Sequence, residues 1–316
     1  MWKKPRVGVA LGGGGARGIA HVGVLKVFES RSVPIHLIAG TSIGALVGGA
    51  YAAGFSAKQL EDRTMEFLAS PLFRDSALSA IERENIEQEK ALTRKIHGYV
   101  RSRLCEVHAL FRPGVLSQEE FRPVIEFFIP DIGFEDTRIP FRAIATDLIS
   151  GEQVVFDNGS LRQAIVASCA VPGAVEPLKE GGRLLSDGGI ICLVPASVAR
   201  ENGADLVIAV EVGQDIFLGK ELRSALSVYY RASDIMAHRL TEYELRDADI
   251  VIRPGVGTLG WADFSKAEEV ITAGEEAAAE QIQDVCSAAS GRRRWTHFID
   301  LLRGRRRDGR ERRIAG

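Results

Sequence analysis

Residues Ile35 to Gly54 read IHLIAGTSIGALVGGAYAAG. The opening residues are apolar and predict a buried strand, and the remainder is small and apolar and predicts a helix. Between them stand Gly40-Thr41-Ser42-Ile43-Gly44. A G-x-S-x-G pentapeptide on a strand-to-helix turn is the setting in which a serine hydroxyl is presented as a nucleophile. Gly40 and Gly44 flank the turn, where side chains would collide, and Gly48 and Gly49 let the helix pack closely on a sheet. Ser42 is therefore a candidate nucleophile. The competing reading is a small residue in a tight turn.

Working upstream, "RVGVAL" (Arg6 to Leu11) reads as a second buried strand, Gly12 to Gly15 as a loop, and "ARGIAHVGVLKVFES" as a helix with Ile19, Val22, Leu25 and Phe28 on one face. This β-α-β-α order predicts a parallel sheet covered on both faces. Its first two strands are expected to be neighbours, which brings the glycine loop beside Ser42. Downstream, Ser56–Gln59, Ser117–Glu120 and Ser160–Gln163 fit capping boxes. "PFRAIATDL", "EQVVF", "ADLVIAVEV" and "DIVIRP" read as strands, "SLRQAIVASCA" as a helix, and Ser224 to Asp247 and Lys266 to Ser290 as long helices. The charged stretch from about Pro71 to Arg112 reads as an inserted helical cap.

The loop "LGGGGARG" admits several chemistries. A P-loop ends in Gly-Lys-Ser/Thr, and this one ends in Ala16-Arg17-Gly18. A dinucleotide fingerprint matches at Gly13, Gly15 and Gly18, but that fold wants an acid at the end of the second strand, which here ends in Gly40-Thr41-Ser42. The third reading is an oxyanion hole: glycines turn successive N–H groups toward one point, and the helix that follows adds its positive end. A turn without chemistry is the fourth. Arg17, a cation in the first turn of a helix, opposes the helix dipole, so it calls for a partner, either a carboxylate or a bound phosphate head group.

A nucleophilic serine needs a base. None of the six histidines (His21, His36, His97, His108, His238 and His297) falls in a strand-end loop with turn chemistry, and His21 reads as a packed residue of the first helix. Asp187, in "LLSDGGI", is the better candidate, because Gly188 and Gly189 permit close backbone approach. A turn aspartate is the alternative.

The chain has 316 residues and 46% hydrophobic content, enough for a sizeable core. Cys105, Cys169, Cys192 and Cys286 form no metal knuckle and no disulfide framework, which fits a reducing compartment. The N-terminal "MWKKPRVGVALGGGG" breaks at its glycines and is not read as a signal peptide. No uncharged apolar run approaches the roughly 18 residues of a membrane span. Formal charge is −2 overall, yet residues 291–316 carry ten arginines against three acids, +7, which leaves −9 on the rest. That segment, with Trp295, Phe298, Ile299, Leu301 and Leu302 between arginine clusters, reads as an interfacial basic helix for an anionic membrane. A disordered basic tail is the alternative, and its apolar patch disfavours a nucleic-acid partner.

Three motifs in this order, Gly13-Gly14-Gly15-Ala16-Arg17-Gly18, Gly40-Thr41-Ser42-Ile43-Gly44 and Asp187-Gly188-Gly189, resemble the bacterial branch of the patatin-like phospholipase family. "GIAHVGVLKVFE", "TDLISGE", "ASCAVPG" and "NGADLVIAVEV" add to the resemblance, which covers about Arg6 to Gly213. It implies a three-layer α/β sandwich with a mostly parallel sheet over about residues 1–290. It also implies a calcium-independent lipid acyl hydrolase without a cofactor, acting on phospholipids or lysophospholipids. By position Ser42 is the nucleophile, Asp187 the base, and N–H groups among Gly13, Gly14 and Gly15 the oxyanion hole. Arg17, Gly18, Gly40, Gly44, Gly188 and Gly189 support these motifs. An unperturbed Asp, with pKa about 3.9, must be desolvated to serve as base, and Leu184, Leu185, Ile190 and Ile191 are the expected apolar neighbours. The segment "DGGIICLVP" departs from the family in placing Ile191 and Cys192 where many members carry asparagine. The alternative function is a catalytically weak membrane-associated scaffold or regulatory module; the expected location is the cytoplasm, peripheral on the inner face of the membrane.

Overall fold

The computed structural model of the chain describes residues 4–76, 79, 114–213 and 225–291. The cap expected over about 71–112 and the basic segment 291–316 lie outside the described residues, apart from 71–76, 79 and 291.

The opening β-α-β-α unit forms as β1 (Val7–Leu11), α1 (Ala20–Ser30), β2 (Leu37–Thr41) and α2 (Ile43–Ala53). Two details differ from the sequence reading. The first helix opens with a 3-10 turn, Gly15–Ile19, and β2 runs on through Gly40 to Thr41. Next come α3 (Ala57–Ala69), a short α4 (Pro71–Arg74), β3 (Gly114–Leu116), α5 (Gln118–Phe128), β4 (Phe141–Asp147), β5 (Gln153–Phe156) and α6 (Leu161–Ser168). The chain then forms β6 (Gly173–Val175), β7 (Leu178–Glu180), β8 (Arg183–Asp187), α7 (Ala196–Glu201), β9 (Leu206–Val210), α8 (Ala225–Glu244), β10 (Ile250–Ile252) and α9 (Ala267–Ala289).

Reciprocal capping boxes close α3 at Ser56–Gln59 and α5 at Ser117–Glu120. At Ser160 only half a box forms. Its hydroxyl accepts the Gln163 N–H, while the Gln163 amide donates instead to Glu180 at 2.7 Å.

The main sheet runs β10-β9-β1-β2-β4-β8-β7, with β5 also on β4. β10, β9, β1, β2 and β4 are mutually parallel, and β5, β7 and β8 pair antiparallel. A separate parallel pair joins β3 to β6. Side-chain alternation along the strands divides the core in two, as the period-two pleat requires. Val7, Val9 and Leu11 of β1 enter the larger cluster, with α1, α2, α5, α6 and α9. Ala10, with Leu37 and Ala39 of β2 and Val207 and Ala209 of β9, faces the smaller cluster beneath α7. This is a three-layer α/β sandwich. Small residues on the second face let α7 approach closely: a Cβ at Gly8 would lie 3.4 Å from the Ala199 Cβ of α7 and 2.6 Å from the Ala204 Cβ beyond it.

Strand order positions the site. From β1 the chain steps to β2 on one side and later returns to β9 on the other. β1 is thus a topological switch point, and in parallel sheets ligands bind beyond the carboxyl ends of strands at such a point. The glycine loop leaves β1 there.

Candidate active site

Ser42 sits between the last residue of β2 and the first of α2 with φ 56° and ψ −126°, a conformation that side chains rarely adopt. The flanking glycines permit it. A Cβ at Gly40 would collide with the Gly44 carbonyl, and one at Gly44 with the Leu11 carbonyl. The Ser42 N–H donates to the Ser168 hydroxyl at 2.9 Å, and the Ser42 carbonyl accepts the N–H groups of Ala45 and Leu46 at 2.8 and 3.0 Å. The turn is therefore held at both ends while the Ser42 side chain is left to the site.

Asp187 reaches the same place from β8. Strand β4 pairs with β2 over Phe141–Ile144, with β5 over Ala143–Thr146, and with β8 over Ala145–Asp147. Since β5 occupies one edge of β4 along its length, β2 and β8 must share the other edge in succession. β8 ends where β2 ends, and Asp187 faces the turn at Ser42. Its N–H donates to the Ala170 carbonyl at 2.9 Å, and its Oδ1 accepts the Gly189 N–H at 2.7 Å. Oδ2 is buried and accepts no well-formed hydrogen bond from the described residues. Burial raises the Asp187 pKa from 3.8 to about 6; the neighbouring Ser42 hydroxyl and the Gly189 N–H oppose that rise. The expected desolvation is present, but not from all the expected residues. Leu185 is buried, whereas Ile190 is 44% exposed. Gly188 is required for closeness: a Cβ there would collide with the Ile144 carbonyl.

The glycine loop lies against the Ser42 turn, with a Cβ at Gly13 falling 3.3 Å from the Ser42 Cβ. The Gly12 N–H donates to the Val210 carbonyl (3.0 Å), the Gly13 N–H to Leu193 (2.9 Å) and the Ala16 N–H to Trp261 (2.7 Å). Gly13 is thereby removed from the expected set of oxyanion donors. Among the described residues, the N–H groups of Gly14 and Gly15 have no protein acceptor. Gly18 is where Ile43 packs, since a Cβ would collide with the Ile43 side chain.

Arg17 is buried, and its Nε and Nη1 donate to the main-chain carbonyls of Val212 and Leu259, both at 2.9 Å. These carbonyl partners were not among the expected ones. They make the guanidinium a tie between the glycine loop and the segments after β9 and β10. His21 is fully buried and its Nε2 donates to the Gly12 carbonyl at 2.8 Å. Burial lowers its pKa to about 4, so it is a neutral brace of the loop.

Two contributors escaped the sequence reading. Ser168 is one; it lies within the quoted "ASCAVPG", but its role needs the fold. Glu244, at the end of α8, is the other. Its carboxylate accepts the N–H groups of Leu193 (3.1 Å) and Val194 (2.8 Å). Residues 192–194 in turn hold the site, with the Cys192 carbonyl accepting the Thr41 hydroxyl at 2.8 Å and the Leu193 carbonyl accepting the Gly13 N–H. Burial, above all, raises the Glu244 pKa.

From Ser42 and Gly15 an apolar cavity of about 130 Å³ extends between α2, α3 and α5, lined by Leu46, Leu60, Phe67, Phe128, Cys169, Trp261 and Phe264 among others. No group of three or more His, Cys, Asp or Glu side chains among the described residues could hold a metal ion. Nor is any helix among them long and apolar enough to cross a membrane.

Comparison with known proteins gives the family of the chain. An uncharacterized NTE family protein of Mycobacterium tuberculosis is 36% identical over 214 residues, covering 66% of this chain and 49% of that protein. Human patatin-like phospholipase domain-containing protein 6 is 32% identical over 209 residues, covering 66% of this chain and 13% of that protein. The chain therefore spans about half or less of the length of these curated relatives. Among solved structures, VipD from Legionella pneumophila aligns over 89% of this chain and 67% of its own, at 13% identity and a TM-score of 0.46. The family model for patatin-like phospholipases matches residues 9–200, and the chain belongs to that family.

Proposed function

We propose that the chain is a lipid acyl hydrolase that cleaves carboxylic esters of phospholipids or lysophospholipids through a Ser42–Asp187 dyad. The observation that carries this reading is a strained serine at the head of an apolar cavity, beside a buried carboxylate with one oxygen left unpartnered.

An acyl chain enters the cavity and sets its ester carbonyl over Ser42. Asp187 takes the hydroxyl proton at Oδ2 as Oγ bonds to the carbonyl carbon. With its pKa raised to about 6, it is ionised at neutral pH and a far better base than a carboxylate in water. The N–H groups of Gly14 and Gly15 receive the oxyanion. The proton on Asp187 passes to the departing alcohol oxygen, leaving an acyl-serine. Water, deprotonated by the same carboxylate, then attacks the acyl carbon and frees the fatty acid and Ser42.

The basic segment 291–316 belongs to this reading on its sequence alone. Each arginine near an anionic surface adds about 1 kcal/mol of attraction, which would hold the enzyme where its substrate lies, on the cytoplasmic face of a membrane. Sedimentation with anionic vesicles, comparing the full chain with one ending at Ser290, tests that part; equal binding removes the segment from the mechanism. The catalytic part is tested by a fluorophosphonate probe and a panel of phospholipid and lysophospholipid esters. Labelling and hydrolysis in the wild type, both lost in Ser42→Ala, are expected. Hydrolysis retained in Ser42→Ala would end the dyad reading.

A further inference from the structure

We propose that Trp261 and Phe264 select the length of the acyl chain; the inference rests on the acyl-hydrolase reading of the cavity. Both residues line the cavity, and both lie in the segment between β10 and α9. That segment is beyond residues 9–200, the span shared with the family model. The catalytic motifs therefore come from the shared part of the chain, and part of the chain-binding wall comes from outside it.

The two residues occupy different places along the cavity. Trp261 stands at the Ser42 end. Its carbonyl holds the Ala16 N–H, a Cβ at Gly15 would lie 3.3 Å from the Trp261 Cβ, and the residue is 40% exposed. An acyl chain whose carbonyl sits between Ser42 and Gly15 must pass it. Phe264 belongs to the far wall. Its ring meets that of Phe73 edge-on at 5.5 Å, Phe73 meets Phe67 at 5.4 Å, and Phe67 meets Phe128 at 5.3 Å. This run of touching rings ties Phe264 to α4 through Phe73 and to α3 through Phe67.

Size gives the direction of selection. An apolar cavity of 150 Å³ accommodates benzene; at about 130 Å³ this one takes about six carbons of an acyl chain. Each methylene that leaves water for the cavity should raise kcat/KM about fourfold. Once the space is filled, further carbons gain nothing and the rise stops. Truncating either aromatic residue extends the space and moves the stopping point to longer chains.

The experiment uses the full chain as wild type, Trp261→Ala, Phe264→Ala and the milder Phe264→Leu. Hydrolysis of p-nitrophenyl esters from butyrate to palmitate is measured for each. In parallel, calorimetric binding of the matching fatty acids is measured in a Ser42→Ala background. The expected result is a break in the length profile near six carbons in the wild type and at longer chains in the variants, in both readouts. Superimposable profiles for wild type and folded variants would overturn the proposal; Phe264→Leu supplies the comparison where Phe264→Ala fails to fold. If no ester is cleaved but the fatty-acid profile shifts between variants, the length selection stands and the hydrolase reading falls.

Discussion

Ser42 follows the last rung of the β2–β4 ladder, Thr41 against Ile144, and Asp187 sits on the next rung of the same β4 edge, against Ala145. The two candidate catalytic residues, 145 positions apart in sequence (187 − 42), are set side by side by backbone pairing rather than by side-chain reach. The Thr146 hydroxyl donates to the Asp187 carbonyl at 3.0 Å, and Gly188 closes onto Ile144, which fixes the register. The carboxylate is delivered into a buried position, and its unusual proton affinity follows from that delivery.

Asp187→Asn should abolish hydrolysis while stabilising the fold at neutral pH. In the native protein the carboxyl holds its proton up to about pH 6, whereas its ordinary pKa is 3.8. The native state therefore binds more protons than the unfolded state across that window, and its stability falls as pH rises through it. The ionised form costs the fold about 3 kcal/mol above the window and nothing below it. Urea unfolding of both proteins should show Asn more stable by up to about that amount at pH 7, with the gap closing toward pH 4. An Asn variant less stable than wild type at pH 7 would contradict the burial argument.

Activity should follow ionised Asp187. The carboxylate accepts the Ser42 proton only when deprotonated, so kcat/KM is expected to fall about tenfold per pH unit below a bend near pH 6. A bend near 4, where an ordinary aspartate titrates, would mean that the free enzyme solvates this carboxylate.

His21 should influence pH stability with the opposite sign. Its pKa is lowered from 6.5 to about 4 in the fold. The unfolded state thus binds more protons between these values, and stability is lost as pH falls through them. His21→Gln, whose amide can still donate toward the Gly12 carbonyl, is expected to lose less stability than wild type between pH 6.5 and pH 4. It should also retain activity above pH 6.5, because His21 braces the loop and takes no proton from Ser42. Abolition of activity by this change, with Asp187→Asn still active, would favour a histidine base.

The sequence made much of this legible because the decisive residues are glycines and apolar runs. Gly40, Gly44 and Gly188 are each required by a specific backbone collision, and such requirements are written into sequence. The β1-α1-β2-α2 order followed from periodicity alone. Ser168 and Glu244 were not legible, since each acts on the site across a long separation and neither carries a local pattern. Gly13 looked equivalent to Gly14 and Gly15 until the Leu193 carbonyl was found opposite its N–H. Ile190 is an apolar sequence neighbour of Asp187, but the turn after Asp187 leaves it exposed.

The strain at Ser42 is itself measurable. A non-glycine residue held at φ 56°, ψ −126° stores about 1–3 kcal/mol. Ser42→Gly relieves it, and Ser42→Ala does not. Both variants lose the nucleophile, so both should be inactive. The glycine protein should nevertheless unfold at higher urea than the alanine one, partly offset by the backbone entropy of glycine. A glycine protein less stable than the alanine one by the full entropic cost of glycine would mean that the turn is unstrained.

Glu244 supplies the last prediction. It accepts two N–H groups from the segment whose carbonyls hold Gly13 and Thr41. In Glu244→Gln the amide nitrogen faces one of those donors, so one hydrogen bond is lost and two donors are opposed. A buried N–H left without an acceptor costs about 1–3 kcal/mol, and the fold should lose stability in that range. The consequence for catalysis is separate. Leu193 would relax away from Gly13, and the N–H groups of Gly14 and Gly15 would drift from the oxyanion position. Misplacement of this kind lowers rate on the order of tenfold to a hundredfold. It should appear in kcat with KM nearly unchanged, since the cavity is lined by other residues. Glu244→Asp, which keeps both acceptors on a shorter arm, should recover part of the rate. A variant that loses stability yet keeps wild-type kcat would show that Glu244 supports the fold without positioning the glycine loop.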